Sequence, residues 1–171
     1  GSTSVQDIEI ANDGSYMLIS TSNGRVYRST DFETSETVSG SPNDPVITQG
    51  FGRCRVAISP DDSQSAFALL ATTGSQFGGV FHSADGGITW DEIWPSGVDG
   101  YDICPTNNQA RYDLALGVQK GNPELAFVGG QALWKCGPSY QAEQAASMGG
   151  GPSNPFYVHA DVHEIIFTPA G

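Results

Sequence analysis

The chain has 171 residues and a formal charge of −12, from 7 Lys+Arg against 19 Asp+Glu, with 22 Gly and 10 Pro. This is one domain's worth of acidic, turn-rich chain, and so few cations exclude a phosphate-neutralising stripe or attraction to anionic lipid, hence no nucleic acid partner. Apolar runs such as Ala66–Ala71 fall far short of the roughly 20 residues of a spanning helix, so no membrane insertion is expected. The opening Gly-Ser-Thr-Ser carries no signal-peptide pattern, so export would rest on a signal removed from, or outside, this sequence.

Along the chain, short apolar stretches recur with a two-residue period: Val5-x-x-Ile8-x-Ile10, Tyr16–Ile19, Val56-x-Ile58, Phe67-x-Leu69, Leu114-x-Leu116 and Ile165-x-Phe167. They read as strands. Turn signals stand between them, among them Asn12-Asp13-Gly14, Ser22-Asn23-Gly24, Pro60-Asp61-Asp62 and Gly121-Asn122-Pro123. Only Gln141–Ser147, rich in Ala, Gln and Glu, predicts a turn or two of helix within an inserted loop.

One pattern occurs three times: Arg25-Val26-Tyr27-Arg28-Ser29, Gly79-Val80-Phe81-His82-Ser83 and Ala132-Leu133-Trp134-Lys135-Cys136. Its aromatic stands at 27, 81 and 134, a period of about 50 residues, and each copy follows a strand, a turn, a second strand and a Gly-containing turn. Four antiparallel strands in a unit of that length are the signature of a β-propeller blade. The expected fold is therefore all-β, with antiparallel four-stranded blades at about 5–50, 51–98 and 99–156 and the first strand of a fourth at 157–171. Closed propellers have roughly four to eight blades. The chain is thus expected to be an incomplete propeller from a larger protein, and its first partners are the remaining blades of that parent.

The second copy continues Ser83-Ala84-Asp85-Gly86-Gly87-Ile88-Thr89-Trp90, which resembles the Asp-box, or BNR, motif Ser-x-Asp-x-Gly-x-Thr-Trp at every defined position. Asp85 can accept bonds from turn N–H groups, Gly86 and Gly87 permit the reversal, and Trp90 can pack on a neighbouring blade. Ser29-Thr30-Asp31-Phe32-Glu33-Thr34-Ser35 is a degenerate copy, and in the third repeat Cys136 replaces the Ser. The resemblance is to the superfamily of sialidase, xyloglucanase and sortilin-like propellers. It implies a structural role for Ser83, Asp85, Gly87, Thr89 and Trp90, on a peripheral turn away from the central channel.

Candidates for chemistry lie near the expected innermost strands. In an extended strand His159, Asp161 and His163 share a face, and two imidazoles with a carboxylate suit a divalent transition metal; the alternative is hydrogen bonding to neighbouring blades. No other cofactor is expected. Asp113 and Asp161, each near the start of an innermost strand, are the candidate carboxylate pair for a glycoside hydrolase. The arginine cluster that a sialidase needs is not evident: Arg25 and Arg28 belong to a third strand, leaving Arg53, Arg55 and Arg111. No Asp-x-Asp-x-Asp-Gly loop exists for calcium, and Asp61-Asp62, Asp99 and Asp102 read as solvated turn residues.

None of the three cysteines forms a Cys-x-x-Cys pair, which argues against structural zinc. Cys136 replaces the box Ser and Cys104 lies in the entry loop of the same blade, so a Cys104–Cys136 disulfide with Cys54 free is expected, two buried thiols being the alternative. Low Lys with abundant Asp, Ser, Thr and Gly suits a secreted or cell-surface protein. The expected function is non-catalytic binding of a polysaccharide or another surface protein, with a glycoside hydrolase fragment as the rival.

Overall fold

The computed structural model describes residues 4–31, 38–39, 51–97, 102–105, 109–146 and 151–168. Three four-stranded antiparallel sheets follow one another along the chain. The first contains β1 (Val5–Ile10), β2 (Met17–Thr21), β3 (Val26–Ser29) and β4 (Val38–Ser39). The second contains β5 (Phe51–Ile58), β6 (Ala66–Thr72), β7 (Phe77–Ser83) and β8 (Asp91–Pro95), and the third β9 (Ala115–Val118), β10 (Ala126–Gly129), β11 (Leu133–Gly137) and β12 (Tyr140–Ala146). In every sheet the strands pair in chain order, as consecutive hairpins dictate. The first strands neighbour one another, β1 beside β5 and β5 beside β9, so each sheet is a blade fanning outward from a shared inner edge.

Burial alternation shows how the blades stack. On β6, Ala66, Ala68 and Leu70 join Tyr16, Leu18 and Val26 in a core between the first two sheets. The intervening Phe67, Leu69 and Ala71 join Leu114, Val128 and Trp134 in a core between the second and third. A sheet buried on both faces reads as a continuous apolar run, which is why β6 and β7 alternate less clearly than outer strands. The ring of Trp94 lies 4.9 Å from Phe77 and 5.4 Å from Trp134, joining the two blades through edge contacts. The recurring aromatics Tyr27, Phe81 and Trp134 all stand on third strands.

Two expectations are corrected. Gln141–Ala146 is not helical but part of β12, because β11 offers it a free edge: Trp134 pairs with Gln144 and Lys135 with Glu143, whose side chains form a 3.1 Å ion pair. A sheet edge outweighs a helix preference of a few tenths of a kcal/mol per residue. Ser147 lies outside the described residues. Ile165–Phe167 forms no strand, since no second strand follows to pair with it among the described residues. The segment instead lies on the third blade, with Val162 N–H donating to the Gly130 carbonyl (2.8 Å) and Phe167 edge-on to Phe127 at 5.5 Å. Gly129 admits it: a Cβ there would stand 2.5 Å from Val162 Cγ1. The only helix among the described residues is a single 3-10 turn, Gly151–Ser153.

Candidate functional site

On the inner strands the alternation carries charge. Asp7 and Glu9 alternate with Ile8 and Ile10 on β1, and Arg53 and Arg55 alternate with Cys54 and Val56 on β5. Cys54 and Val56 are buried toward the first blade, so the two arginines take the opposite side. Arg55 ties the three blades together: its Nη1 lies 3.3 Å from Asp7 Oδ1 and its Nε donates to the Leu114 carbonyl at 3.3 Å. Asp7 Oδ2 accepts the Val56 N–H at 3.2 Å. Arg53 Nη1 donates to the Arg111 and Tyr112 carbonyls at 2.5 and 2.7 Å. Both guanidiniums thus clamp the backbone leading into β9.

Between these strands and the terminal segment lies a groove of ≈ 390 Å³ whose walls include Asp7, Glu9, Arg55, Leu116, His163 and Glu164. Burial raises the Glu9 carboxyl to about 7, the Asp7 charge adds to the rise, and Arg55 opposes it. Behind the wall, Asp113 is 0 % exposed; no N–H or hydroxyl group among the described residues donates to its carboxylate, which adjoins the Asp161 carboxyl. Asp113 Oδ1 is 3.7 Å from His163 Nε2, whose half-exposed ring meets Tyr112 edge-on at 4.8 Å. Burial first, then the adjacent Asp161 carboxyl, raise Asp113 to about 6, against His163 and Arg53. A carboxyl neighbour disfavours the charged form of Asp113.

The structure therefore brings Asp113, Asp161 and His163 together and leaves His159 aside, its Nδ1 donating to the Ala160 carbonyl at 2.7 Å. The expected metal triad of His159, Asp161 and His163 is corrected for a local reason. Asp161 has φ 79°, a left-handed conformation that breaks the extended geometry in which alternate side chains share a face. Among the described residues no group of three such side chains stands in coordinating geometry. The Cys104–Cys136 bridge is likewise absent, and Cys54, Cys104 and Cys136 are buried free thiols. Cys104 Sγ lies against Gly130, whose N–H bonds to Ala132, whereas Cys136 pairs with Ala126 at the far end of the same hairpin. Four residues of strand, about 13 Å, exceed what a disulfide spans.

Ser83, Asp85, Gly87, Thr89 and Trp90 form one turn between β7 and β8. Asp85 Oδ1 accepts the Ile88 and Thr89 N–H groups at 3.0 and 2.8 Å and the Ser83 hydroxyl at 2.8 Å, and Oδ2 accepts the Thr89 hydroxyl at 2.6 Å. Burial alone would raise this carboxyl; the bonds from Thr89, Ser83 and Ile88 hold it below its ordinary range. Gly87 N–H donates to Ser83 Oγ, and the buried Trp90 donates to the Gly87 carbonyl at 3.1 Å. Gly87 also faces the first blade, where a Cβ would stand 2.7 Å from Leu18 Cδ2. In the degenerate copy, Ser29 Oγ donates to the Asp31 carbonyl at 2.7 Å; Phe32–Ser35 lie outside the described residues, as does Asp99.

A buried Ser65–His82 pair, 3.0 Å apart, borders a second cavity of ≈ 290 Å³ beside Glu124. Ser65 donates its proton to the Pro123 carbonyl at 2.6 Å. His82 must then be the donor to Ser65, the wrong polarity for activating a nucleophile. The pair joins the second blade to the third.

Sequence reasoning passed over Asp7 and Glu9 as site residues, and weighed Arg55 only for an arginine cluster with Arg53 and Arg111. Their signal was a charge at every second position of two inner strands, where both faces would otherwise be apolar.

No family model and no curated protein matches the sequence. Among solved structures the chain is similar to YCF48 from Cyanidioschyzon merolae, with 17% identity and a TM-score of 0.54 over 84% of this chain and 37% of that one. It is also similar to the GH74 enzyme of Niastella koreensis, with 17% identity and a TM-score of 0.55 over 79% of this chain and 22% of that one. The chain thus spans well under half the length of either neighbour. At this identity the likeness shows the fold alone, and with the three stacked sheets it makes this chain an incomplete β-propeller.

Proposed function

We propose that the chain is part of a secreted or cell-surface propeller of the Asp-box kind that binds a glycan or protein partner along the inner groove without cleaving it. The observation that carries this reading is the placement of the carboxylates. A glycoside hydrolase needs its acid and its partner roughly 5–10 Å apart with the scissile bond between them. Asp113 and Asp161 instead adjoin, and Asp113 has no exposed surface for a substrate to touch. The groove beside them keeps what binding requires: a concave, partly apolar wall with a few fixed polar groups.

The test is calorimetric titration of the chain with xyloglucan oligosaccharides, sialyl-oligosaccharides and short peptides, with chromatography of each sample afterwards for cleavage products. Binding weakened by the Glu9→Gln/Arg55→Gln double variant, with every ligand recovered intact, is the expected result. Cleavage that Asp161→Asn abolishes, or binding indifferent to the double variant, overturns it.

A further inference from the structure

Between the second and third blades, the β5–β6 turn, the end of β7 and the β9–β10 turn enclose the cavity of ≈ 290 Å³, which shares no wall residue with the inner groove. The buried Ser65 and His82, 5% and 8% exposed, form its back, and the exposed Asp62, Gln64 and Glu124 stand at its mouth. We propose that this cavity binds one unit of a neutral sugar, a hydroxyl-rich pyranose ring, at a site independent of the groove.

The buried histidine keeps one polar atom open. Ser65 gives its proton to the Pro123 carbonyl, so His82 Nε2 carries the hydrogen shared with Ser65 and Nδ1 keeps its lone pair. Burial lowers the His82 pKa below its ordinary value, against Glu124 and Asp91, and the ring stays neutral at neutral pH. Phe67, its cross-strand neighbour with ring centroids 4.7 Å apart, fixes the imidazole from one side. Among the described residues no group bonds to Nδ1, although His82 is more than nine-tenths buried. A buried acceptor in the wall of a cavity calls for a donor from what fills that cavity.

The mouth selects the kind of donor. Asp62 Oδ1 accepts the Gln64 N–H at 2.9 Å and Glu124 Oε2 the Ser139 hydroxyl at 3.1 Å, which leaves one oxygen of each carboxylate to accept from a ligand. The Gln64 side-chain amide beside them both donates and accepts. Neighbouring sugar hydroxyls, each a donor and an acceptor, can meet all of these groups and His82 Nδ1 at once. An ammonium group only donates and would leave the Gln64 amide N–H groups unmet. Pro123 and Ala84 add an apolar stretch of wall for the C–H face of the ring.

The cavity is formed before any ligand enters. Gly86 N–H donates to the Gln64 carbonyl at 2.8 Å, Gly121 N–H to Asp61 Oδ2, and Ser65 to Pro123, so both turns are tied to each other and to the Asp85 turn. Binding then orders little besides the Gln64 and Glu124 side chains. At ≈ 290 Å³ the space lies just below the roughly 300–1,000 Å³ of typical ligand pockets, which suits one ring and not a chain of them.

The experiment follows the imidazole nitrogen NMR signals of the isotope-labelled full chain during titration with the methyl pyranosides of glucose, galactose, mannose and xylose. Tetrahydropyran, the same ring without hydroxyls, and methylammonium serve as controls. The expected result is saturable binding of at least one pyranoside that moves the His82 Nδ1 signal, with no saturable binding of either control. His82→Phe, which keeps a ring and removes the acceptor, should abolish it. Gln64→Ala, on the exposed turn, should weaken it about tenfold and serves alone if His82→Phe does not fold. Absence of saturable pyranoside binding, an unmoved Nδ1 signal, indifference to Gln64→Ala, or equal binding of either control overturns the proposal. Pyranoside binding that the Glu9→Gln/Arg55→Gln variant abolishes belongs to the groove, and overturns the proposal while leaving the groove reading intact.

Discussion

Replacing Asp113 by Asn should stabilise the protein at neutral pH, although it alters a wholly buried residue. The folded-state carboxyl is raised from 3.8 to about 6, which corresponds to about 3 kcal/mol for ionising it in place. The half-exposed His163 ring lies 3.7 Å from it, and solvent relaxation reduces the penalty to about 2 kcal/mol. Between about pH 4 and pH 6 the unfolded chain releases this proton first, so the folded state binds more protons and loses stability as pH rises. Asparagine keeps the shape and can donate to Asp161 without a buried charge. Wild type and Asp113→Asn should therefore be about equally stable at pH 4, with the variant ahead by about 2 kcal/mol at pH 7 and above. Urea unfolding followed by the fluorescence of the buried Trp90, Trp94 and Trp134 reads the difference directly. A variant less stable by the same amount at every pH would refute the reasoning, since a packing or hydrogen-bond loss does not titrate.

Asp85→Ala removes four hydrogen bonds of one turn and should lower the unfolding free energy by about 2–4 kcal/mol in the same assay. Gly87→Ala should cost about 1–3 kcal/mol, because φ is 85° and the new methyl meets Leu18 of the neighbouring blade. Burial pushes the Cys104 and Cys136 thiols up to about 12 and Cys54 higher still. Ellman's reagent should accordingly detect almost no thiol in the folded protein and three after denaturation without reductant.

The strand pattern, the repeat and the Asp85 turn could be read from residues because each depends on neighbours in sequence: alternation for strands, spacing for blades, and a carboxylate closing its own loop. What the sequence reading missed depends on other blades. Gln141–Ala146 has helical composition, yet the edge of β11 decides its state. His159 and His163 are in register for one face only if the chain stays extended, and the left-handed backbone at Asp161 removes that condition. Cys104 and Cys136 belong to the same repeat but lie at opposite ends of a hairpin. Asp7, Glu9 and Arg55 form a groove only because β1, β5 and β9 converge, although their alternating charges on apolar strands were visible from the start.

The account turns on Asp113 and Asp161 lying beside the binding groove without forming a hydrolytic pair, and the separation of their carboxyl groups in a crystal at neutral pH measures this most directly. It predicts the two groups in contact, with Asp113 sealed beneath His163 and no ligand atom able to reach it. A separation of roughly 5–10 Å across open groove, with both carboxylates accessible, would contradict it and place the chain among glycoside hydrolases.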